Sequence, residues 1–349
     1  MCINNCKSVF WLFFLALICI SCRQDSKKKS PSFYHWKSKM DLNSATITYI
    51  DSLDLKKLYV RFFDLHWDNK KQMAYPLAPI QWKAFDFKQR LEIIPTIYIT
   101  NITLQQTQLD RGIDSLAKKV ATKLQEMLEE IDTVRFLVQE LQLDCDWSES
   151  TEVKYFKFLE RLKRELPNIK TFSATIRLHQ VKYYTTTGVP PVDKGVLMFY
   201  NMGNVANAYE QNSILNLKTA KKYLKNFKAY PLELDVALPL FAWGVQFRQK
   251  RIIQLINDVS YVDLEKNANF TKIDKDRFKA LNSDYLNGIY IYKNDEIRIE
   301  SVTIKDLKEA LKMLRQAFGP KKKFEVIFYH LDNYIIENYN ANTLQDLLN

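Results

Sequence analysis

A strand pattern that ends in two acids, between Thr133 and Trp147, restricts the fold of this chain more than any other stretch. Apolar and polar residues alternate there with a period of two, which is typical of a β-strand with two different faces. One face carries mostly acids and amides, namely Val138, Glu140, Gln142, Asp144 and Asp146. A helix pattern follows directly, and α/β folds place their active sites where such strands end. We therefore expect a site at these acids; an edge strand with a solvated acidic face is the alternative.

Strand and helix patterns alternate along the rest of the chain. Strand patterns cover Lys57–Trp67, Leu91–Asn101, Thr133–Trp147, Ile169–Gln180, Val196–Gly203, Leu232–Gly244, Glu296–Val302 and Phe324–Asp332. Helical spacing of apolar residues covers Asp110–Glu130, Thr151–Glu165, Thr219–Phe227 and Ile304–Phe318. Eight strands with recurring helices predict an α/β protein, a single (β/α)8 TIM-type barrel with loop insertions after residues 67 and 244. An open doubly wound sheet is the alternative.

The first 22 residues have the pattern of a targeting segment. Lys7 precedes the apolar run Val9–Ile20, which is too short to cross a bilayer comfortably. Ser21 then stands directly before Cys22, an arrangement that resembles a bacterial lipoprotein signal, although Cys19 replaces the usual Leu. The resemblance implies lipidation of Cys22 and attachment to a membrane of the bacterial cell envelope, the outer membrane in the first instance. Ordinary secretion with nearby cleavage and an uncleaved anchor are the alternatives.

The composition after this segment sets the domain organisation and excludes several functions. Residues 23–43 are rich in Lys, Ser and Pro and are predicted to be a flexible tether, and residues 44–349 to be the barrel. Only Cys145 lies in the body, so neither a disulfide framework nor a cysteine zinc site is expected. Seven glycines provide no phosphate-binding loop, and we expect no cofactor.

The net charge of +11 raises the question of a nucleic-acid partner. An exported chain without any nucleic-acid-binding motif does not fit such a partner. The basic clusters, of which Lys321-Lys322-Lys323 is one, are expected to lie against anionic lipid or to be simply solvated.

The carboxyl end of the predicted barrel would collect polar side chains that are distant in sequence. Besides Asp144 and Asp146, the candidates are Asp64, His66, Asn101, Arg177, His179, Tyr200, Asn201, Trp243, His330 and Asp332. Carboxylates, a guanidinium and aromatic rings around one cavity suit a glycan or oligosaccharide partner. Asp64 with His66, or His330 with Asp332, could instead hold a metal, but no ligand motif supports this and we expect none.

Two motifs resemble glycoside hydrolase family 18, the chitinase-like family. Leu143–Trp147 followed by Ser148 resembles the end of the family motif Asp-x-x-Asp-x-Asp-x-Glu, and Met198–Asn201 resembles its Met-x-Tyr-Asp strand. The resemblance implies a (β/α)8 barrel in which Asp146 orients the acetamido group of the substrate, Asp144 supports Asp146, and Tyr200 and Asn201 contact the sugar. The chain departs from the motif at Leu141, in place of the first Asp, and at Ser148, in place of the catalytic acid.

A looser likeness covers most of residues 133–244. It is to a bacterial lipoprotein family that has a glycoside-hydrolase-like barrel and no assigned activity. The segments that carry it are Gln142–Asp146, Tyr155–Leu162, Ala174–Ile176, Met198–Gly203 and Ala237–Pro239.

Two functional hypotheses follow from these patterns. In one, Asp144 and Asp146 hydrolyse glycosidic bonds with an acid from Glu140 or Glu149. In the other, the barrel binds a glycan or a protein without cleaving it. The alternative for Asp144 and Asp146 is a purely structural cluster that forms salt bridges to Arg177.

Overall fold

The computed structural model describes residues 29–83, 90–224 and 227–349. The predicted signal peptide, its lipidation site Cys22 and tether residues 23–28 lie outside these ranges. Residues 30–348 form a single compact unit with its own hydrophobic core.

The strands of the described residues fall into one large sheet and three smaller ones. In chain order they are β1 (Ser32–His35), β2 (Lys39–Met40), β3 (Lys57–Asp68), β4 (Met73–Leu77), β5 (Gln81–Trp82), β6 (Leu91–Ile99), β7 (Phe136–Leu137), β8 (Glu140–Cys145), β9 (Thr171–Arg177), β10 (Lys194–Met198), β11 (Leu234–Pro239), β12 (Trp243–Arg248), β13 (Arg251–Asn257), β14 (Phe270–Asp274), β15 (Arg277–Ala280), β16 (Asp284–Leu286), β17 (Ile289–Ile291), β18 (Glu296–Glu300) and β19 (Val326–Tyr329).

The helices of the same residues surround the large sheet or connect its strands. They are α1 (Ser44–Ser52), α2 (Asn101–Gln106), α3 (Arg111–Glu129), α4 (Glu152–Glu165), α5 (Leu178–Lys182), α6 (Tyr184–Thr187), α7 (Leu217–Lys221), α8 (Tyr261–Lys266), α9 (Ile304–Phe318), α10 (Asn333–Asn338) and α11 (Ala341–Leu348).

Eight parallel strands close into a barrel in the order β1, β3, β6, β8, β9, β10, β11 and β19, with β19 returning to β1. The predicted single (β/α)8 barrel is therefore confirmed, and the open doubly wound sheet is wrong. Strand β8 has neighbours on both sides, with Tyr98 of β6 beside Asp144 and Ser173 of β9 beside Gln142. All six residues of β8 are buried. The edge-strand interpretation is therefore wrong as well, because the acidic face lines the interior of the barrel.

Three predicted helices form almost as their apolar spacing indicates. α3 and α4 bury their periodic residues against the barrel, among them Leu116, Leu124 and Leu159. α9 begins at a capping box, in which Thr303 and Asp306 each accept a hydrogen bond from the backbone N–H of the other. Such reciprocal bonds satisfy two N–H groups that the first turn of a helix leaves without partners.

The structure corrects two predictions about where the barrel begins and how it is completed. Ser32–His35, within the predicted tether, is fully buried as the first barrel strand, so the tether cannot extend to residue 43. The predicted seventh barrel strand, Glu296–Val302, is instead the centre of a separate antiparallel sheet as β18. A strand pattern gives the faces of a strand but not its partners, so the same pattern suits either sheet.

The separate sheet is an insertion after β11, where a loop insertion was expected. Its five strands are ordered β13, β12, β18, β15 and β14 and have a small apolar cluster of their own. Its first two strands, β12 and β13, form an antiparallel hairpin. Because β11 ends at the mouth of the barrel, the insertion starts beside the candidate site. Among the described residues, no helix has the length and apolarity needed to span a membrane.

Candidate functional site

Asp144, Asp146 and Arg177 meet at the carboxyl end of β8 and β9. Asp144 is buried and accepts a hydrogen bond from Thr175 Oγ1 at 2.5 Å. Arg177 Nη2 lies 3.7 Å from Asp144 Oδ1, and Arg177 Nε donates to Asp146 Oδ1 at 3.1 Å. The Asp146 side chain is 55% exposed. One guanidinium therefore joins a buried carboxylate to one that faces the mouth, as the structural interpretation of these acids required.

Burial and neighbouring charges shift the pKa values of Asp144 and Arg177 in opposite directions. Burial raises the pKa of Asp144, although the Arg177 charge and the Thr175 hydrogen bond oppose the rise. Burial alone would lower the pKa of Arg177, but the charges of Asp144 and Asp146 outweigh it and raise that pKa. Arg177 therefore remains a cation, and the charge of Asp144 is the one that the interior tolerates least.

A second arginine–carboxylate pair lies on β3. Arg61 donates to both oxygens of Asp64, through Nε at 2.6 Å and through Nη2. A bulge between Arg61 and Phe63 shifts the register, so that Asp64 lies beside Tyr98, the neighbour of Asp144. His66 is partly exposed on the rim, with Nε2 3.8 Å from Asp64 Oδ2. Asp64 thus belongs to the mouth, with its charge already balanced.

Aromatic rings fill the mouth between β10, β11 and β19. Tyr200 stacks on Tyr329, with ring centroids 5.3 Å apart and planes at 28°. Phe241 meets both rings edge-on, at 6.0 and 5.8 Å. Such pairs add to the burial energy and fix ring orientation. The Tyr200 hydroxyl donates to the sulfur of Met198 at 3.2 Å, so this ring is held at both its face and its polar end.

A cavity of about 310 Å³ opens beside these groups. Its lining residues are Asp146, Arg177, Leu178, His179, Met198, Tyr200, Asn201, Met202 and Tyr223. Asn201 has a positive φ of 52°, in the left-handed region that Asn adopts more readily than most residues, and its N–H donates to the carbonyl of Ile214. His179 follows β9 on α5, and burial lowers its pKa. Four predicted binding residues, Arg177, His179, Tyr200 and Asn201, thus share one cavity with Asp146.

Glu140 does not belong to this site. It is the first residue of β8, at the amino end of the barrel, where it is bound by Lys194 Nζ at 2.9 Å and by Ser173 Oγ at 2.6 Å. Lys194 also pairs with Asp235 at 3.2 Å. The prediction that Glu140 supplies a catalytic acid is therefore wrong. Glu140 and Asp144 face the same interior but are four residues apart along the strand, roughly 13 Å.

Ser148, at the position of the family's catalytic acid, lies in a cluster of uncharged groups. Asn101 Nδ2 donates to Ser148 Oγ at 3.3 Å, and Thr151 Oγ1 donates to Asn101 Oδ1 at 2.6 Å. Ser148 Oγ also lies 3.0 Å from the hydroxyl of Ser150. The adjacent acid, Glu149, is exposed. The mouth therefore offers hydroxyl and amide groups where a proton donor would be needed.

The remaining predicted residues have structural contacts of their own. Trp243 Nε1 donates to Glu300 Oε2 at 2.9 Å, between two neighbouring strands of the insertion sheet. Asp332 caps α10 by accepting from the N–H of Ile335 at 3.0 Å. His330 lies 3.6 Å from Asp332, and burial lowers its pKa to about 4. Cys145 is buried, as expected of a core residue. The described residues contain no cluster of three or more His, Cys, Asp or Glu side chains that could hold a metal ion.

Among the contributors to the mouth that were not predicted are Arg61, Tyr98 and Tyr329. Tyr98 and Tyr329 lie on predicted strands, and the alternation of those strands could have placed them inside. Arg61 could not be placed in this way, because the bulge after it changes which residues of β3 face the interior.

Solved structures share this fold at low sequence identity. The spore cortex-lytic enzyme SleL of Bacillus cereus superimposes with a TM-score of 0.58 at 15% identity, over 92% of this chain and 75% of that one. A GH18 chitinase from Cycas revoluta in complex with (GlcNAc)3 has a TM-score of 0.56 at 11% identity, over 92% and 100% of the two chains. The Group IV chitinase of Ostrinia furnacalis has a TM-score of 0.54 at 11% identity, over 92% and 98%.

No protein-family profile and no curated protein matches the sequence. The structural likeness nevertheless agrees with the motifs at residues 143–148 and 198–201. The chain has the closed, eight-stranded parallel barrel of the chitinase-like glycoside hydrolases.

Proposed function

We propose that this chain is a carbohydrate-binding barrel that holds a glycan at its mouth without hydrolysing it. The observation that carries the proposal is Ser148. At the position where the chitinase-like motif has its acid, this chain has a hydroxyl within a network of Asn101 and Thr151.

Hydrolysis of a glycosidic bond needs a group that can protonate the leaving oxygen. A serine hydroxyl is far too weak an acid for this role. The other carboxyl groups of the mouth are engaged: Asp144 by Thr175 and Arg177, and Asp146 by Arg177. Hydrolysis by Asp144 and Asp146, the other hypothesis, would have to take its proton from another acid; of the two named for that role, Glu140 lies at the amino end of the barrel and Glu149 is exposed to solvent.

Binding of a sugar fits the same groups. Asp146, Arg177 and Asn201 offer charged and amide partners for hydroxyl and acetamido groups, and Tyr200 and Tyr223 supply ring surface in one cavity. The solved structures from Cycas revoluta contain N-acetylglucosamine oligomers. An oligosaccharide with N-acetylated residues is therefore the first ligand to test.

The same proposal includes attachment to a membrane. The pattern around Cys22 supports a lipidated N-terminus on a bacterial envelope membrane, with the barrel attached through residues 23–31. A protein held in this way can retain or present a glycan close to the membrane surface. Mass spectrometry of the membrane fraction would detect a lipid on Cys22, and a Cys22→Ala variant recovered in the soluble fraction would agree with it.

The direct test measures binding and cleavage of N-acetylglucosamine oligomers side by side. We expect calorimetry to detect binding, and chromatography to show no cleavage. Asp146→Asn should weaken binding by about tenfold, since a charge-assisted hydrogen bond is lost. Asp132→Asn, at the amino end of the barrel, is the matched control and should bind as the parent does. Turnover by the parent that disappears in Asp146→Asn would establish the hydrolase instead.

Ser148→Glu provides a gain-of-function test. It places a carboxyl group at the position of the missing acid and leaves Asp144 and Asp146 unchanged. If the missing acid is what prevents hydrolysis, this variant should release products that the parent does not. Ser148→Gln, which has similar size and no acid, should remain inactive. Equal activity in the glutamate and glutamine variants would contradict the proposed role of this position.

A further inference from the structure

At the amino end of the barrel, opposite the candidate site, four of the exposed lysines among the described residues lie in two adjoining loops. They are Lys228, in the loop before β11, and Lys321, Lys322 and Lys323, in the loop before β19. We call them the amino-end lysine patch. The loops are packed together: Phe318, at the end of α9, has its ring centroid 5.5 Å from that of Phe227 and 5.0 Å from that of Phe324. The lysines are therefore held on one face.

Neighbouring acids do not neutralise this patch. Among the described residues, none of the four lysines forms an ion pair. Glu325, two residues after Lys323, is bound by Lys57 at 3.0 Å. Glu233, at the start of β11, is the other exposed carboxylate of these two strand starts. Four cations therefore face one carboxylate that has no ion-pair partner, so the patch is positively charged.

The chain enters the barrel beside this patch. β1 runs parallel to β19, with Ser32 beside Ile327, so the start of β1 lies at the amino end of the barrel. Cys22 and Ser32 are ten residues apart in the sequence. Even a fully extended connection of this length spans at most about 35 Å. A lipid on Cys22 would keep the amino end near the membrane.

At the opposite end of the barrel, the mouth pairs its acids with arginines. Asp64 pairs with Arg61, and Asp144 and Asp146 share Arg177, so three carboxylates face two guanidinium groups, and Asp146 is the most exposed of these acids. An anionic membrane surface attracts lysines that lie within a Debye length and repels carboxylates. Charge and chain path thus favour the same orientation, with the amino end toward the membrane and the mouth away from it.

We propose that the amino-end lysine patch binds the anionic headgroups of the membrane and orients the barrel so that its mouth points away from the bilayer. The orientation rests on the proposed anchoring through Cys22, whereas binding of headgroups by the patch does not need the lipid. The partner is a surface of anionic phospholipid, recognised by charge and without a pocket.

Sedimentation with vesicles tests this binding on the compact unit, residues 30–348, which has its own core and lacks the anchor. The probes are vesicles of phosphatidylcholine alone and of phosphatidylcholine with 30% phosphatidylglycerol, at low and high salt. We expect binding to the anionic vesicles that is lost at high salt, and none to the neutral ones. Lys321→Glu/Lys322→Glu should weaken partitioning by about tenfold or more, since each lysine near an anionic surface contributes several-fold.

The matched control reverses two exposed lysines on the flank of the barrel, Lys118→Glu/Lys119→Glu, which changes the net charge equally. The control should bind vesicles nearly as the parent does. Equal loss in both variants would overturn the proposal, since net charge rather than the patch would then be responsible. Binding to soluble polyanions such as heparin, without binding to vesicles, would also overturn it in favour of an acidic polysaccharide.

Oligosaccharide binding in the same variants separates this inference from the proposed function. Lys321→Glu/Lys322→Glu should bind N-acetylglucosamine oligomers as the parent does, because the patch and the mouth lie at opposite ends. If the parent binds no oligosaccharide but vesicle binding depends on the patch, the proposed function fails and the lipid-binding face remains. Circular dichroism of each variant shows whether it is folded.

Discussion

At the scale of single residues, Arg177 determines the electrostatic character of the mouth. It is the cation shared by the buried Asp144 and the exposed Asp146. Taking a carboxylate out of water costs several kcal/mol unless a partner compensates for it. A cation in this place permits an acid to remain inside the barrel and orients another toward the cavity. Arg177 therefore acts as a positioning residue for the proposed sugar site.

Replacing Arg177 by methionine should destabilise the protein in a pH-dependent way. Asp144 would lose its cation, and we expect the free energy of unfolding to fall by about 3 kcal/mol at pH 7. Burial already raises the pKa of Asp144, and removal of the Arg177 charge raises it further. Asp144 then becomes protonated more readily, so the loss should be smaller at pH 5. Urea unfolding at both pH values measures this, with Arg177→Lys as the charge-retaining control. A loss that is equal at the two pH values would contradict this account of Asp144.

At the scale of secondary structure, β18 contains a buried ion pair. The further hydrogen bonds of this pair attach the insertion sheet to the loop after β10. Arg298 and Glu300 are each about 1% exposed and lie 2.7 Å apart. Glu300 also accepts from Ser213 Oγ at 2.5 Å and from Trp243 Nε1 at 2.9 Å. Arg298 donates to the carbonyls of Asn207 and Val205 in the loop after β10. The insertion is thus attached to the loops beside the mouth by a satisfied polar network.

Glu300→Gln should destabilise the protein by about 3–5 kcal/mol, because it leaves the buried Arg298 charge without its counterion. The control on the same strand is Glu296→Gln. Glu296 is 42% exposed and lies 3.9 Å from Arg277, so its loss should change stability by less than about 1 kcal/mol. The double variant Arg298→Met/Glu300→Gln should recover part of the loss. Thermal or urea unfolding of the three variants checks the order of their stability losses. Equal losses of stability in Glu296→Gln and Glu300→Gln would rule out the buried-pair explanation.

At the scale of the whole molecule, the barrel closes between its first and last strands, β1 and β19. A histidine lies where each of these strands ends: His35, which is buried, and His330, whose side chain is 19% exposed. Burial lowers the pKa of each to about 4. The folded protein therefore keeps both rings neutral at pH values where an unfolded chain, with a histidine pKa near 6.5, would protonate them. The stability of the folded protein is thus coupled to pH through these two histidines.

The unfolded chain binds more protons than the folded one between about pH 4 and pH 6.5, so these histidines make stability rise with pH in that window. Each contributes up to about 3 kcal/mol to the change between pH 4 and pH 7. Asp144 and Asp332, whose pKa values burial raises, act in the opposite direction. The contribution of one histidine is therefore best isolated by comparing the parent with His330→Gln. The variant should lose less stability than the parent on acidification. Parallel stability–pH curves for the parent and the variant would contradict a neutral His330 in the folded protein.

Local patterns in the sequence determined most of the barrel and the polar character of its interior. The alternation around Glu140, Gln142 and Asp144 gave the interior face of β8, and helical spacing gave α3, α4 and α9, because these patterns depend on neighbours within a few residues. The two motifs at residues 143–148 and 198–201 predicted the fold that the comparisons share, and also the absence of an acid at Ser148.

The tertiary structure alone decided which strands close the barrel and which charges meet. β1 has four residues within a polar segment, too few to show a period, and the pattern of β18 is the same in a barrel or in a separate sheet. Pairings such as Arg61–Asp64 through a bulge, Glu140–Lys194 at the amino end and Arg177 between two acids depend on register and on distant strands. Local alternation contains no information about such partners, because they come together only when the barrel closes.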